Sequence, residues 1–194
     1  MKHAVIVGHP KVDSFNLSVA QAYCEAVRAR GDEALLRDLY RLNFEPRLQA
    51  GELPGTEFGP ADDVKAERAL IGDCKVFAFV YPLWFYSPPA IVKGYIDRVF
   101  GMGFGYGPLE GGGNRGLLSD RRMITFTSSG APSHWVEQEG AWGAIRALFD
   151  THLAQVCGLS IVDHVHFGDI TSDITDEAVE ACLRQVAGAV ERRF

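Results

Sequence analysis

An α/β three-layer sandwich around a five-stranded parallel sheet, strand order 2-1-3-4-5, is predicted by three observations. Short apolar runs recur five times, amphipathic helical runs separate them, and three of the apolar runs feed directly into loops rich in hydroxyl, Gly, Pro or aromatic residues. Strict alternation of this kind implies a mostly parallel sheet with helices on both faces. At 194 residues the chain suits one domain, 1–194, with a well-buried core.

The strand runs are His3–Gly8, Ala34–Leu39, Val76–Tyr81, Met123–Thr127 and Ser160–Phe167. The first helix carries Leu17, Ala20, Cys24 and Val27 at helical spacing. After Pro60, a weaker charged helix carries Val64, Ala66, Ala69 and Leu70. Pro89 starts a third helix with Ile91, Val92, Tyr95, Ile96 and Val99 on its apolar side. Ile145, Leu148, Phe149, Leu153 and Val156 mark a fourth, whose apolar face also takes in His152 as a core residue. Val179, Cys182, Leu183, Val186 and Val190 mark the last, with Thr175 as its N-cap. The Gly/Pro-rich stretches Leu53–Pro60 and Gly101–Gly116 read as insertions within the domain.

Composition narrows the function classes. A formal charge of −6 with scattered Arg and no basic stripe argues against nucleic acid. No run is long enough to span a membrane, and the start is too soon interrupted for a signal peptide. Cys24, Cys74, Cys157 and Cys182 lie far apart without metal-type spacing, so neither a disulfide framework nor a zinc site is expected. A reducing cytoplasm is the natural setting. His164 and His166 share one face of the fifth strand, but without a third ligand they are expected to be structural, and no metal is predicted.

The loops carry the chemistry. In order 2-1-3-4-5 the switch point lies between strands one and three, where ligands bind. There, GHPKVDSFN places Ser14, Phe15 and Asn16 at a helix N-terminus with Ser18 one turn inside, a ready phosphate site that His9 can supplement. A simple cap is the competing role for Ser14 or Asn16. YPLWFYSPP packs Trp84, Phe85 and Tyr86 together; side chains alternate along a strand, so at least one must be exposed unless a ligand or partner covers it. TSSGAP offers Thr127, Ser128, Ser129 and Gly130 to the polar edge of a ring. Phosphate, flat ring and polar edge together point to a flavin. Gly111–Gly113–Gly116 satisfies G-x-G-x-x-G but precedes a strand, and the Gly-rich run Gly101–Gly107 follows a helix, so neither supports a dinucleotide fingerprint.

With these segments in view the chain resembles the NAD(P)H:quinone oxidoreductases of the flavodoxin-like superfamily. The likeness runs nearly end to end through His9, Ser14-Phe15-Asn16, Asp38-Leu39-Tyr40, Asn43-Phe44, Pro46, Tyr81-Pro82-Leu83, Pro89-Ala90-Ile91, Lys93-Gly94, Asp97–Phe100, Phe104, Tyr106 and Thr127–Gly130. The resemblance implies a flavodoxin-like fold and a homodimer with its active site at the subunit interface. It implies FAD or FMN as cofactor, with Ser14-Phe15-Asn16 closer to the FAD-using members, NAD(P)H as donor and a quinone-like acceptor. Carried over, His9, Ser14, Phe15, Asn16 and Ser18 hold the flavin phosphates, and Pro82, Leu83, Trp84 and Phe85 hold the ring. Thr127 to Gly130 contact its polar edge, where the Ser129–Gly130 backbone N–H groups serve the reduced flavin. Tyr86, Phe104 and Tyr106 line the nicotinamide and quinone pocket, with Trp135 as a further substrate contact.

One departure matters. Mammalian members place a Tyr and, six residues later, a His near the ring edge, where this chain has Trp135 and Ala141. Neither supplies an ionisable proton, so that part of the mammalian mechanism does not transfer; His134 is the adjacent substitute. The expected reaction is hydride transfer from NAD(P)H through the flavin to an acceptor by ping-pong kinetics. The alternatives are a one-electron carrier and an ancillary subunit regulating a membrane transporter.

Overall fold

The computed structural model describes residues 1–53, 58–138 and 140–194, so positions 54–57 of the Leu53–Pro60 stretch lie outside the described residues. Five strands form the central sheet: β1 (Lys2–Val7), β2 (Glu33–Asp38), β3 (Val76–Pro82), β6 (Arg122–Ser128) and β7 (Ser160–Phe167). All pair in parallel, in the spatial order β2-β1-β3-β6-β7, which is the predicted 2-1-3-4-5 counted over these strands. β3 is buried along its whole length, as a central strand covered on both faces must be. Between β3 and β6, a short hairpin of β4 (Tyr106–Pro108) and β5 (Asn114–Gly116) occupies the Gly-rich stretch. Three successive glycines, Gly111 to Gly113, have φ between 82° and 105°, a turn that excludes other residues.

The sheet divides the core in two. On one face Val5, Val7, Val80 and Phe126 pack under α1 (Phe15–Ala29) and α7 (Asp176–Arg193), where Tyr23, Val27, Val186 and Val190 close the layer. Thr175 caps α7 by accepting from Ala178 N–H at 3.3 Å. On the other face Ile6, Phe77, Phe79 and Tyr81 pack under α2 (Asp62–Ile71), α3 (Ala90–Val99), α5 (Ala141–Arg146) and α6 (His152–Cys157). A short α4 (Ser133–Gln138) precedes α5.

Two helices differ from their sequence patterns. α2 buries Val64, Glu67 and Ile71, while Ala66, Ala69 and Leu70 face solvent. Glu67 can be inside because Arg37 donates to it twice, at 2.9 and 2.5 Å, and Tyr95 Oη donates at 2.7 Å. The fourth predicted helix is α5 and α6 joined by a π-helical stretch, Ala147–Thr151. There Phe149 and Asp150 are buried while Leu148 and His152 are exposed, so His152 is not a core residue. The wider π turn resets the helical phase that apolar spacing assumes.

α3 lies close against the 44–46 stretch. A Cβ on Gly94 would meet Pro46 O at 2.2 Å, so only glycine permits the approach. Arg98 locks the same region from inside, as its guanidinium reaches Glu52, Asp63 and the Glu45 carbonyl.

Candidate functional site

The cleft opens at the carboxyl edge of the sheet, where β1 and β3 end and the strand order reverses. A cavity of about 490 Å³ there is bounded by the three predicted loops. Among the sequence-predicted residues it brings together His9, Ser14, Phe15, Asn16 and Ser18 at one end, Pro82, Leu83 and Trp84 along one wall, and Ser128, Ser129 and Gly130 opposite.

At the helix end, Ser14 is the N-cap of α1: its Oγ accepts from Leu17 N–H at 3.2 Å and its carbonyl from Ser18 N–H at 3.1 Å. The N–H groups of Phe15 and Asn16 have no partner among the described residues, so two donors and the positive end of the helix dipole face the cleft. His9 is held neutral, because burial pushes its pKa below the usual histidine value. Its Nδ1 accepts from Lys11 N–H at 3.2 Å, which leaves the ring hydrogen on Nε2 as a donor. Arg41 pins this loop by donating to the carbonyls of His9 at 2.5 Å and Pro10 at 2.7 Å, while Asp38 holds its Nε at 2.9 Å.

The aromatic loop is a tight turn closed by reciprocal N–H···O bonds of 3.0 Å between Trp84 and Ser87. Phe85 and Tyr86 occupy its corners at φ of 51° and 56°, left-handed backbone that large side chains adopt only at a cost. Trp84 alone of the three aromatics lines the cavity, 6.2 Å from the His9 ring. Phe85 is 103% exposed, and Phe85 and Tyr86 stand outside the cavity wall.

The third loop is tied to the other two. Ser128 Oγ donates to Asn16 Oδ1 at 3.1 Å, and Leu83 N–H donates to Ser128 O at 2.7 Å. Asn16 is thus a buried brace as well as a lining residue. Ser129 N–H is spent on Phe167 O at 2.9 Å, which removes it as an edge donor and leaves Gly130 N–H, unpartnered among the described residues.

Several predicted residues lie elsewhere. Thr127 is fully buried on the opposite face of β6, with its hydroxyl bonded to His164 and His166 rather than to the cleft. Phe104 packs into the core against Phe77 and Phe100, at ring distances of 6.4 and 5.7 Å. Tyr106 lines a separate hollow of about 220 Å³ beside α3 and α6. His134 and Trp135 are exposed on α4 and do not line the cleft. Sequence reasoning missed Lys11, which lines the cleft from the first loop itself, and Ile170, Thr171, Ser172 and Ile174, a wall that only the fold brings from beyond the fifth strand of the sheet; Arg41 stays outside the lining and acts through the His9 and Pro10 carbonyls. Sequence reasoning also missed Asp150, a buried carboxylate bonded to His164. Among the described residues no three His, Cys, Asp or Glu side chains converge as a metal site, and no helix is long and apolar enough to cross a membrane.

Comparison with known proteins agrees with this geometry. The family model for the flavodoxin-like fold matches residues 1–190. A curated relative from Haemophilus influenzae, named an uncharacterized NAD(P)H oxidoreductase, is 33% identical over 100% of this chain and 96% of its own length. The ribosyldihydronicotinamide dehydrogenase [quinone] of Rattus norvegicus is 28% identical over 66% of this chain and 64% of its own. Among solved structures, the NAD(P)H:quinone oxidoreductase from Methanothermobacter marburgensis superposes with a TM-score of 0.81 at 25% identity, covering 99% of this chain and 96% of that one. The chain belongs to the flavodoxin-like fold family and, within it, to the NAD(P)H:quinone oxidoreductases.

Proposed function

We propose that this protein is a flavin-dependent NAD(P)H dehydrogenase that reduces quinones or similar electrophiles, each chain acting as one flavin-binding domain. One observation carries the reading. A single cleft aligns free helix N-terminal donors, a flat aromatic wall and an unpaired backbone N–H, in the order that phosphate, ring and ring edge require. The relatives' names supply the same chemistry.

When bound, the flavin supplies two-electron hydride chemistry. Phe15 and Asn16 N–H, the His9 Nε2–H and the Lys11 ammonium group would hold its phosphate end. Pro82, Leu83 and Trp84 support the ring, on a loop whose prolines and paired Trp84–Ser87 backbone limit its movement. Gly130 N–H, unpartnered among the described residues, would be the fixed donor for the negative charge a reduced flavin carries at its polar edge. NAD(P)H and the acceptor use the remaining open face in turn, which predicts ping-pong kinetics. The cavity continues past the α1 terminus to Thr171, Ser172, Ile174 and Val179, a second wall suited to an adenosine group, which favours FAD. FMN is the alternative; two neighbours of the same fold, from Bacillus anthracis and Treponema denticola, are described in complex with it.

A homodimer fits the exposed surface. Leu148 is 80% exposed beside the hollow that holds Tyr106, with Leu153 and Val156 lining the same hollow. A second copy seated there would cover this apolar edge and bring Tyr106 to an interface. Free, buried Cys24, Cys74 and Cys157 suit a reducing cytoplasm.

The test is the visible spectrum of the purified protein, followed by chromatography of the released cofactor. Flavin bands bleached by NAD(P)H and restored by a quinone are expected. A colourless protein that takes up neither FAD nor FMN refutes the assignment.

A further inference from the structure

Behind the third loop runs an uninterrupted chain of side-chain hydrogen bonds that the cofactor cradle does not use. Asp150, on the π-helical turn, accepts from Thr125 Oγ1 at 2.8 Å and meets His164 Nδ1 at 2.5 Å. His164 Nε2 lies 2.9 Å from Thr127 Oγ1, which lies 3.0 Å from His166 Nδ1. His166 Nε2 lies 3.1 Å from Ser129 Oγ, and Ser129 lines the cleft. The side chains of His164 and Asp150 are 0% and 1% exposed, so the inner end is sealed from solvent.

We propose that Asp150, His164, Thr127, His166 and Ser129 form a proton relay from a buried Asp–His store to the polar edge of the cofactor cleft. The inference rests on the flavin reading for what occupies the cleft.

The bonding permits two ordered states. In the first, Ser129 O–H donates to His166 Nε2, His166 Nδ1–H to Thr127, Thr127 O–H to His164 Nε2, and His164 Nδ1–H to the Asp150 carboxylate. In the second, one more proton has entered at Ser129 Oγ and the hydrogens from Ser129 through Thr127 have each moved one bond inward, as far as His164 Nε2, while the His164 Nδ1 hydrogen stays in place. His164 is then an imidazolium beside Asp150, His166 carries its hydrogen on Nε2, and Ser129 turns its own outward. No bond between heavy atoms changes, no electron moves, and the Asp150–His164 pair goes from one negative charge to none. In the second state Ser129 donates toward a cleft group that gains negative charge; returning to the first delivers the proton there. In the ligand-free chain that outward hydrogen meets Ala131 O, 2.9 Å from Ser129 Oγ.

The surroundings suit a store at one end and a carrier in the middle. Burial, and then the neighbouring His164, pushes His166 down to about 4, so it stays neutral near pH 7 and passes the proton on. Facing the pair are Tyr81 from β3, whose buried hydroxyl has no partner among the described residues, and Trp142 from α5, 4.6 Å from the His164 ring. Glu137 of α4 lines the small hollow that His164 and His166 share. Ser129 is the member that touches the cleft; Asp150, His164, Thr127 and His166 act through it.

The experiment is long-range ¹H–¹⁵N NMR of the imidazole nitrogens in the flavin-free protein between pH 5 and 9. As His164 gains its second proton, His166 must switch its hydrogen from Nδ1 to Nε2 at the same pH, and Thr127→Val must uncouple the two events. A His164 that keeps one protonation state over this range, or a His166 that keeps one tautomer while His164 titrates, overturns the relay. In the flavin-loaded enzyme, Thr127→Val, a near-isosteric change, should lower kcat about 100-fold with KM for the quinone retained, and alter the pH profile. An unchanged profile also overturns it. Failure to bind flavin would sink the cofactor assignment while leaving the NMR result standing, so the two failures are separable.

Discussion

Replacing Arg98 with methionine should cost about 3–5 kcal/mol of stability, the range for removing one partner of a buried ion pair. The side chain of Arg98 is 1% exposed and that of Glu52 is 5% exposed. All five guanidinium N–H groups are engaged. Nε donates to Glu52 at 2.9 Å, Nη1 to the Glu45 carbonyl at 2.5 Å and to Asp63 at 2.7 Å, and Nη2 to Glu52 at 3.1 Å and to Asp63 at 2.9 Å. Asp63 is half-exposed and contributes little by itself; the loss comes from leaving the Glu52 carboxylate buried without its cation. For a domain of this size the melting temperature should fall by about 6–20 °C. The assay is urea unfolding by circular dichroism for Arg98→Met, Glu52→Gln and the double variant. The double variant should be less destabilised than the sum of the singles by about 0.5–3 kcal/mol, because glutamine removes the stranded charge. The pH dependence has a definite sign. Burial opposes the shift at Glu52, but the Arg98 bonds and backbone N–H donors hold its carboxyl below the usual range; at Asp63 the Arg98 bond leads. The folded state therefore binds fewer protons than the unfolded state at mildly acid pH. The gap between wild type and Arg98→Met should be full above the ordinary carboxylate range and shrink as pH falls through the lowered values. A loss under about 1 kcal/mol at neutral pH, or additive singles, would refute the reasoning.

Three further outcomes are expected. Ser14→Ala removes the α1 cap, so unfolding should show a loss of about 1 kcal/mol and flavin titration a weaker affinity; unchanged binding would count against the phosphate role. Phe85→Gly relieves left-handed backbone at a fully exposed residue, so the flavin-free protein should melt no lower than wild type; a lower melting temperature would contradict the strain argument. Burial is the main cause pushing His3 down to about 4, so the unfolded chain takes up this proton first and its contribution to stability is lost as pH falls from about 6.5 to 4. His3→Phe should remove that slope, read as the change with pH in the free-energy gap between variant and wild type; a constant gap would disprove it.

Much of the fold was legible because its signals are local. Apolar runs such as Val76–Tyr81 and caps such as Thr175 act over a few residues, and their alternation with helices restricts the sheet to few topologies. The three loops of the cleft were legible for the same reason: each sits at the end of a strand that the pattern reveals. The helical faces were less so. Leu70 and Leu148 match an apolar stripe yet face solvent, since the position of α2 and the π turn at Ala147–Thr151 are set by packing.

The sequence by itself determined the layered α/β architecture, the switch-point cleft and the family, all consequences of residue order at short range. Tertiary structure decided which side chains meet. It turned Thr127 away from the cleft and into the chain with His164 and His166, spent Ser129 N–H on Phe167, and buried Glu67 and Asp150 beside partners 30 and 14 residues away in sequence. Burying a charge is favourable only when its partner arrives in three dimensions, and no period along the chain records that arrival.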